Sequence, residues 1–95
     1  MSTAPGQATV TVWIPSLLRD LTGGRETVKV AGANVRQVIA ALDRNFPGIQ
    51  ERLCDGNGLR LSIAVAVDSQ MGTLGLLQPV KPGSEVHFIP AISGG

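Results

Sequence analysis

Cysteine is almost missing from this sequence: Cys54 is the only one among 95 residues. No disulfide can form within the chain, so a reducing compartment is the expected setting. Aromatic residues are nearly as scarce, with one Trp, two Phe and no Tyr. So few rings build no stacking platform for bases. The eight Lys and Arg form no cluster and are nearly balanced by seven Asp and Glu. Nucleic acid and anionic membranes are therefore not expected partners. No apolar run approaches the roughly twenty residues of a membrane span. Met1 to Gln7 lacks a charged region followed by an apolar one, so no signal peptide is expected, and the expected location is cytoplasmic. A single His and a single Cys far apart in sequence make no metal site, and no bound cofactor is expected.

What is present is a composition that folds. Hydrophobic residues make up 43% of the chain and charged residues 16%, which suits one small compact domain and not disorder. The expected organisation is a leader over residues 1–7, a folded domain over 8–90 and a flexible tail over 91–95. Thr9 to Ile14 alternates, with Val10, Val12 and Ile14 on one face and Thr9, Thr11 and Trp13 on the other, the pattern of a half-buried strand. Pro15 ends it. Ser16 to Leu21 predicts a helical turn with Leu17, Leu18 and Leu21 packed inward. Thr22-Gly23-Gly24 reads as a turn; a phosphate loop would need a following helix with the matching chemistry. Glu26 to Val30 predicts a second strand, antiparallel to the first.

Asn34 to Phe46 carries the clearest helical pattern. Val35, Val38, Ile39, Leu42 and Phe46 form one apolar stripe, Asn34 suits the N-cap, and Gln37 is placed to complete a capping box. Pro47-Gly48 stops the helix, and Ile49 to Leu53 predicts a further short turn. After the Asp55-Gly56-Asn57-Gly58 turn, Leu59 to Val67 alternates throughout and predicts one long central strand, with Ala64 and Ala66 on its outward face. Met71 to Leu77 predicts a short edge strand at most, because Gly72 and Gly75 interrupt it. Glu85 to Ile89 predicts the last strand, Val86 and Phe88 inward, His87 and Ile89 outward. One helix over a mixed sheet of four to five strands is an α+β arrangement. With the first and last strands side by side at its centre, it is the β-grasp, or ubiquitin-like, layout.

The chain then stops on Gly94-Gly95, directly after an apolar strand. Two glycines pack no side chain and hold no fixed φ/ψ. They form a thin thread ending in a carboxylate, suited to entering a narrow channel in a partner; a frayed terminus is the plain alternative. Gly83-Ser84-Glu85-Val86 through Pro90 to Gly94-Gly95 resembles the Gly-Asp-x-Val-x-x-x-Pro-x-x-x-Gly-Gly ending of ubiquitin-like sulfur carriers of the MoaD/ThiS family, with Ser84 where Asp is usual. The resemblance covers Thr9 to Gly95. Ile14-Pro15 through Leu18-Arg19, Thr22-Gly23-Gly24, and Phe46-Pro47-Gly48-Ile49 through Glu51-Arg52-Leu53 look most like the CysO branch, whose carriers supply sulfide for cysteine synthesis. Asp68 departs from the family's commoner Val-Asn turn.

The resemblance implies a protein cosubstrate rather than an enzyme. An E1-like adenylating partner would use ATP to convert the Gly95 carboxylate to an acyl-adenylate, and sulfide or a persulfide would then leave a thiocarboxylate. It implies that Gly94 and Ser93 thread the tail, since a side chain at Gly94 or Gly95 would obstruct the activating site. A chain ending at Gly95 is expected to need no proteolytic trimming. Strand parity, together with the face that family members use for docking, puts Trp13, Ile89, Met71 and Ile92 on a partner surface; Trp13 covering a sheet edge or the leader is the alternative.

Other candidates are weaker. His87 reads as a solvated histidine, and no nearby nucleophile or carboxylate pair completes a catalytic unit. Cys54 reads as a small apolar filler, with a thioester or redox site as the alternative. Lys29 and Lys81 read as solvated charges. Three other functions stay open: a small subunit of molybdopterin synthase, docked in its large subunit; a ubiquitin-like modifier joined to lysines; and a β-grasp binding module whose glycines are incidental. The sulfide acceptor is correspondingly a cysteine synthase or the molybdopterin synthase large subunit.

Overall fold

The computed structural model describes residues 9–90 except 57, 61 and 73. Its strands are β1 (Thr9–Trp13), β2 (Thr27–Ala31), β3 (Cys54–Asp55), β4 (Gly58–Leu59), β5 (Ile63–Val67), β6 (Gln70–Met71) and β7 (Glu85–Pro90). The helices are α1 (Val35–Asn45) and α2 (Ile49–Leu53), with single 3₁₀ turns at Ser16–Leu18 and Gly75–Leu77. Five strands form one sheet in the order β2-β1-β7-β5-β6, and β3 pairs with β4 in a separate ladder. β1 and β7 run parallel, and the other pairs in the sheet are antiparallel. This is the mixed sheet with one main helix that the sequence predicts. Among the described residues, no helix is long and apolar enough to cross a membrane.

The core follows the two periodicities. Val10, Val12, Val28, Val30, Val65, Val86 and Phe88 project from one face of the sheet onto Val35, Val38, Ile39 and Leu42 of α1, all buried. Burying such side chains contributes about 1.5–3 kcal/mol each. Asn34 caps α1 as predicted, its Oδ1 accepting the Gln37 N–H at 2.9 Å. The return bond shifts by one residue: Gln37 Oε1 accepts from Ala33 N–H at 2.8 Å. At the other end Asp43 Oδ1 accepts from both the Gly48 and Gln50 amides at 3.1 Å, tying α2 to α1. Gly48 makes the corner at φ +102°.

Three expectations change. The long strand over Leu59 to Val67 is two elements. Arg60 N–H donates to Leu53 C=O, Arg60 C=O accepts from Ile63 N–H, and the Arg60 guanidinium grips Glu51 C=O at 2.7 and 3.1 Å. The chain therefore turns between β4 and β5, with Leu61 of the expected strand outside the described residues. β5 also lies one place from the centre, which β7 occupies. The turn after Pro15 buries Leu18 and half-buries Leu21, but Leu17 is 51% exposed, because a single 3₁₀ turn directs only one of two successive leucines inward.

Candidate functional site

β7 is the middle strand of the sheet, and its last residue, Pro90, leads into 91–95. Gly95, Gly94, Ser93 and Ile92 lie outside the described residues, so the site is built from what stands at the root of this segment. Registers across the sheet define it. Trp13 pairs with His87, His87 with Ala66, and Ala66 with Met71. Because alternate residues share a face, these four side chains form one row across four strands on the side away from α1. Ile89 follows in the next row, opposite Ala64.

The row is fixed in geometry. The Trp13 indole lies over the His87 imidazole, ring centroids 5.3 Å apart and planes 6° from parallel. Its Nε1–H donates to Glu85 Oε1 at 3.2 Å. The indole is therefore held twice, by the stack on His87 and by the bond to Glu85, while remaining 36% exposed. His87 is half-buried against it, which corrects the expectation of a solvated histidine: register places the ring beside its parallel neighbour. Trp13 is 36% exposed, Ile89 43% and Met71 59%. The small Ala64 and Ala66 keep the middle of this face low. The predicted docking residues Trp13, Ile89 and Met71 are thus on one face, Trp13 and Met71 at opposite ends of the same row.

Sequence reasoning missed Arg19, Glu85 and the role of His87. A shallow depression at the root of the tail is lined by Trp13, Pro15, Arg19, His87, Ile89 and Pro90. Arg19 Nε donates to Ile14 C=O at 3.0 Å, which holds the guanidinium at this rim. The depression joins the apolar face to a guanidinium held at its rim. Only the short spacing from Pro15 to Arg19 could have signalled it.

A second constellation anchors the start of β7. Asp68 Oδ1 accepts from Glu85 N–H and Oδ2 from the Ser84 hydroxyl, both at 2.9 Å, while Asp68 N–H donates to Glu85 C=O at 2.9 Å. The Glu85 amide first, and then the Ser84 hydroxyl, hold the Asp68 carboxyl below the usual carboxylate range. Asp68 and Ser69 take φ +52° and +71°, the left-handed pair of a tight hairpin turn between β5 and β6.

Cys54 is half-buried and packs against the core, and burial pushes its thiol pKa up, against the opposing pull of Arg60. A raised pKa reduces the thiolate, so the geometry favours the filler over the nucleophile. Among the described residues, no three His, Cys, Asp or Glu side chains are placed to share a metal ion.

Comparison with known proteins adds to this geometry. The ThiS family model matches residues 12–95. Sulfur carrier protein CysO of Mycobacterium tuberculosis is 35% identical over 91 residues, covering 90% of this chain and 98% of that protein. A crystal structure of Mycobacterium tuberculosis CysO superposes with a TM-score of 0.81. The crystal structure of the Amycolatopsis orientalis BexX/CysO complex superposes with a TM-score of 0.86 at 36% identity, covering 90% of this chain and 99% of the matched one. The small archaeal modifier protein SAMP1 of Haloferax volcanii, at 24% identity, a TM-score of 0.76 and coverage of 92% and 99%, shares the fold.

Proposed function

The chain belongs to the ThiS family, and from that membership we propose that it is a sulfur carrier, a protein cosubstrate rather than a catalyst, whose Gly95 carboxylate is loaded as a thiocarboxylate. A carboxylate is a poor acyl donor because its leaving group would be oxide. On an E1-like adenylating partner, a Gly95 carboxylate oxygen attacks the α-phosphorus of ATP and the bond to pyrophosphate breaks. Sulfide then attacks the acyl carbon, the C–O bond to AMP breaks, and the sulfur remains on Gly95 as a thiocarboxylate anion. The carrier then gives up that sulfur on a second partner, for cysteine synthesis as in the branch the sequence resembles.

One observation carries this reading. The Trp13–His87–Ala66–Met71 row and Ile89 make an apolar face whose edge meets the tail's root on the central strand. Exposed apolar patches of this kind mark partner surfaces, with Trp prominent among the residues that hold them. A partner seated there holds the thread at a fixed point on a rigid sheet, so Gly94 and Gly95 enter its active site at a set distance. The names of the relatives, sulfur carriers at 35% identity, support the same reading.

The test is loading by an adenylating partner with ATP and sulfide, followed by intact mass. The expected product gains the mass difference of sulfur for oxygen, and Gly94→Ala and Gly95→Ala are not loaded although they fold. Loading of either variant at the normal rate overturns the role of the thread. A ladder of lysine conjugates without thiocarboxylate overturns the carrier reading in favour of a protein modifier.

A further inference from the structure

The sheet has a second surface that the carrier reading leaves unused. Among the described residues, β2 is an edge strand, paired only with β1. The Ile14 amide donates to Glu26 C=O at 2.8 Å. Hydrogen-bonded and non-bonded pairs alternate along an antiparallel ladder, so Val12–Val28 and Val10–Val30 are the bonded pairs. The N–H and C=O groups of Thr27, Lys29 and Ala31 therefore point away from β1, toward the open edge. Beside that edge, two depressions follow the length of β2 along one flank of α1. One lies between Ala31 to Ala33 and the helix residues Gln37, Ala40 and Arg44, with Val80 and Pro82 also in its wall; the other lies between Thr27 to Lys29 and Asn45–Phe46, with Arg25 on its rim. The small Ala40 leaves room for a side chain between helix and strand.

Charge and register decide the occupant. Arg25, Lys29 and Arg44 flank this edge, and Glu26 is the one carboxylate in the strand's approach; Asp43 on α1 accepts the Gly48 and Gln50 amides. A second copy of the chain pairing antiparallel about Lys29 would set that lysine against its own copy, and like charges directly opposite are unfavourable. We infer that the open edge of β2 is a second docking surface, which takes an extended acidic segment of a partner protein as an added strand. Backbone groups of Thr27, Lys29 and Ala31 supply the ladder, and apolar residues of the segment enter the depressions beside α1. Its carboxylates meet Lys29 on the outer face and Arg25 and Arg44, which line the two depressions. The Trp13 and Ile89 face stays free, so a carrier held by this edge can still offer its tail.

The probe is a capped peptide of alternating aspartate and valine, with a lysine–valine peptide as its control. The readout is residue-resolved amide hydrogen exchange. At saturating aspartate–valine peptide, exchange at Thr27, Lys29 and Ala31 is expected to slow by about tenfold or more, while Val28 and Val30 keep their existing protection. Lys29→Pro, which deletes an outward N–H, abolishes the effect, and Arg44→Glu weakens the peptide by about fivefold. Arg44→Glu keeps normal thiocarboxylate loading, which separates this surface from the tail site. Unchanged exchange at the three amides, equal binding of the lysine–valine peptide, or shifts confined to the Trp13 face overturns the inference. So does protection that rises with protein concentration alone, which would mean self-pairing.

Discussion

Replacing Trp13 with alanine separates what the indole does for the fold from what it does for a partner. In the free protein the indole is stacked on His87 and donates one exposed hydrogen bond to Glu85. The stack contributes about 0.5–1.5 kcal/mol beyond area burial, and the exposed bond contributes little more. For a domain of this size each 1 kcal/mol shifts Tm by about 4–8 °C, so Trp13→Ala should lose several degrees and still fold. If the same indole is an anchor of the docking face, its truncation costs about 2 kcal/mol or more of binding, a loss of about thirtyfold. Circular dichroism is the stability probe, because the variant removes the chain's one tryptophan. Initial loading rates at carrier concentrations below KM give the second number. Trp13→Phe keeps a ring over His87 and loses only the N–H to Glu85, so it should recover most of the loading. Unchanged loading by Trp13→Ala, or a loss no larger than its unfolded fraction, would refute the docking role of this face.

The carboxyl of Asp68 is held below the ordinary value of about 3.9, so its hydrogen bonds favour the charged folded form. That stabilisation is fully present above the ordinary pKa and fades as pH falls through the lower folded value. Asp68→Asn, which tolerates the left-handed turn at φ +52° but carries no charge, should therefore be less stable than the parent at neutral pH by urea titration, with the gap narrowing in strong acid; a gap that does not narrow there contradicts the assignment. Gly32→Ala would put a Cβ 2.9 Å from both Val38 Cγ2 and the Val38 amide nitrogen. It should cost about 1–3 kcal/mol in urea unfolding, since neither backbone nor a buried valine yields easily. Asn34→Ala removes the acceptor for the Gln37 amide and should cost about 1 kcal/mol, with Asn34→Asp close to neutral.

Local periodicity told most where one element determined its own fate. The α1 stripe and its Asn34 cap could be read directly, because helix packing and capping rest on residues within a few positions of one another. The inward faces of β1 and β7 followed from alternation for the same reason. The strand over Leu59 to Val67 failed because alternation does not exclude a bend. What bends the chain is a bond from the Arg60 guanidinium to the Glu51 carbonyl, nine residues back and in another element. The Trp13–His87 stack depended on the parallel register of strands seventy-odd residues apart, which no local pattern contains. The partnership of Asp68 and Ser84 was half visible. These were the two positions at which the sequence left the family pattern, and the structure shows them hydrogen-bonded to each other. The carboxylate stands on the turn, and the hydroxyl stands on the strand that it secures.

The parallel pairing of β1 with β7 also fixes how the molecule bears load. Thr9 and Pro90 sit at opposite ends of that pair, since Thr11 aligns with Glu85 and Trp13 with His87. Tension applied at Pro90 against an anchored β1 acts along the strands, so their hydrogen bonds are sheared together and cannot open one after another. On the proposed carrier reading, a thread drawn out of a partner's channel is thus tied to the part of the sheet least able to unzip. Withdrawal can strain the grip of the partner before it unravels the carrier.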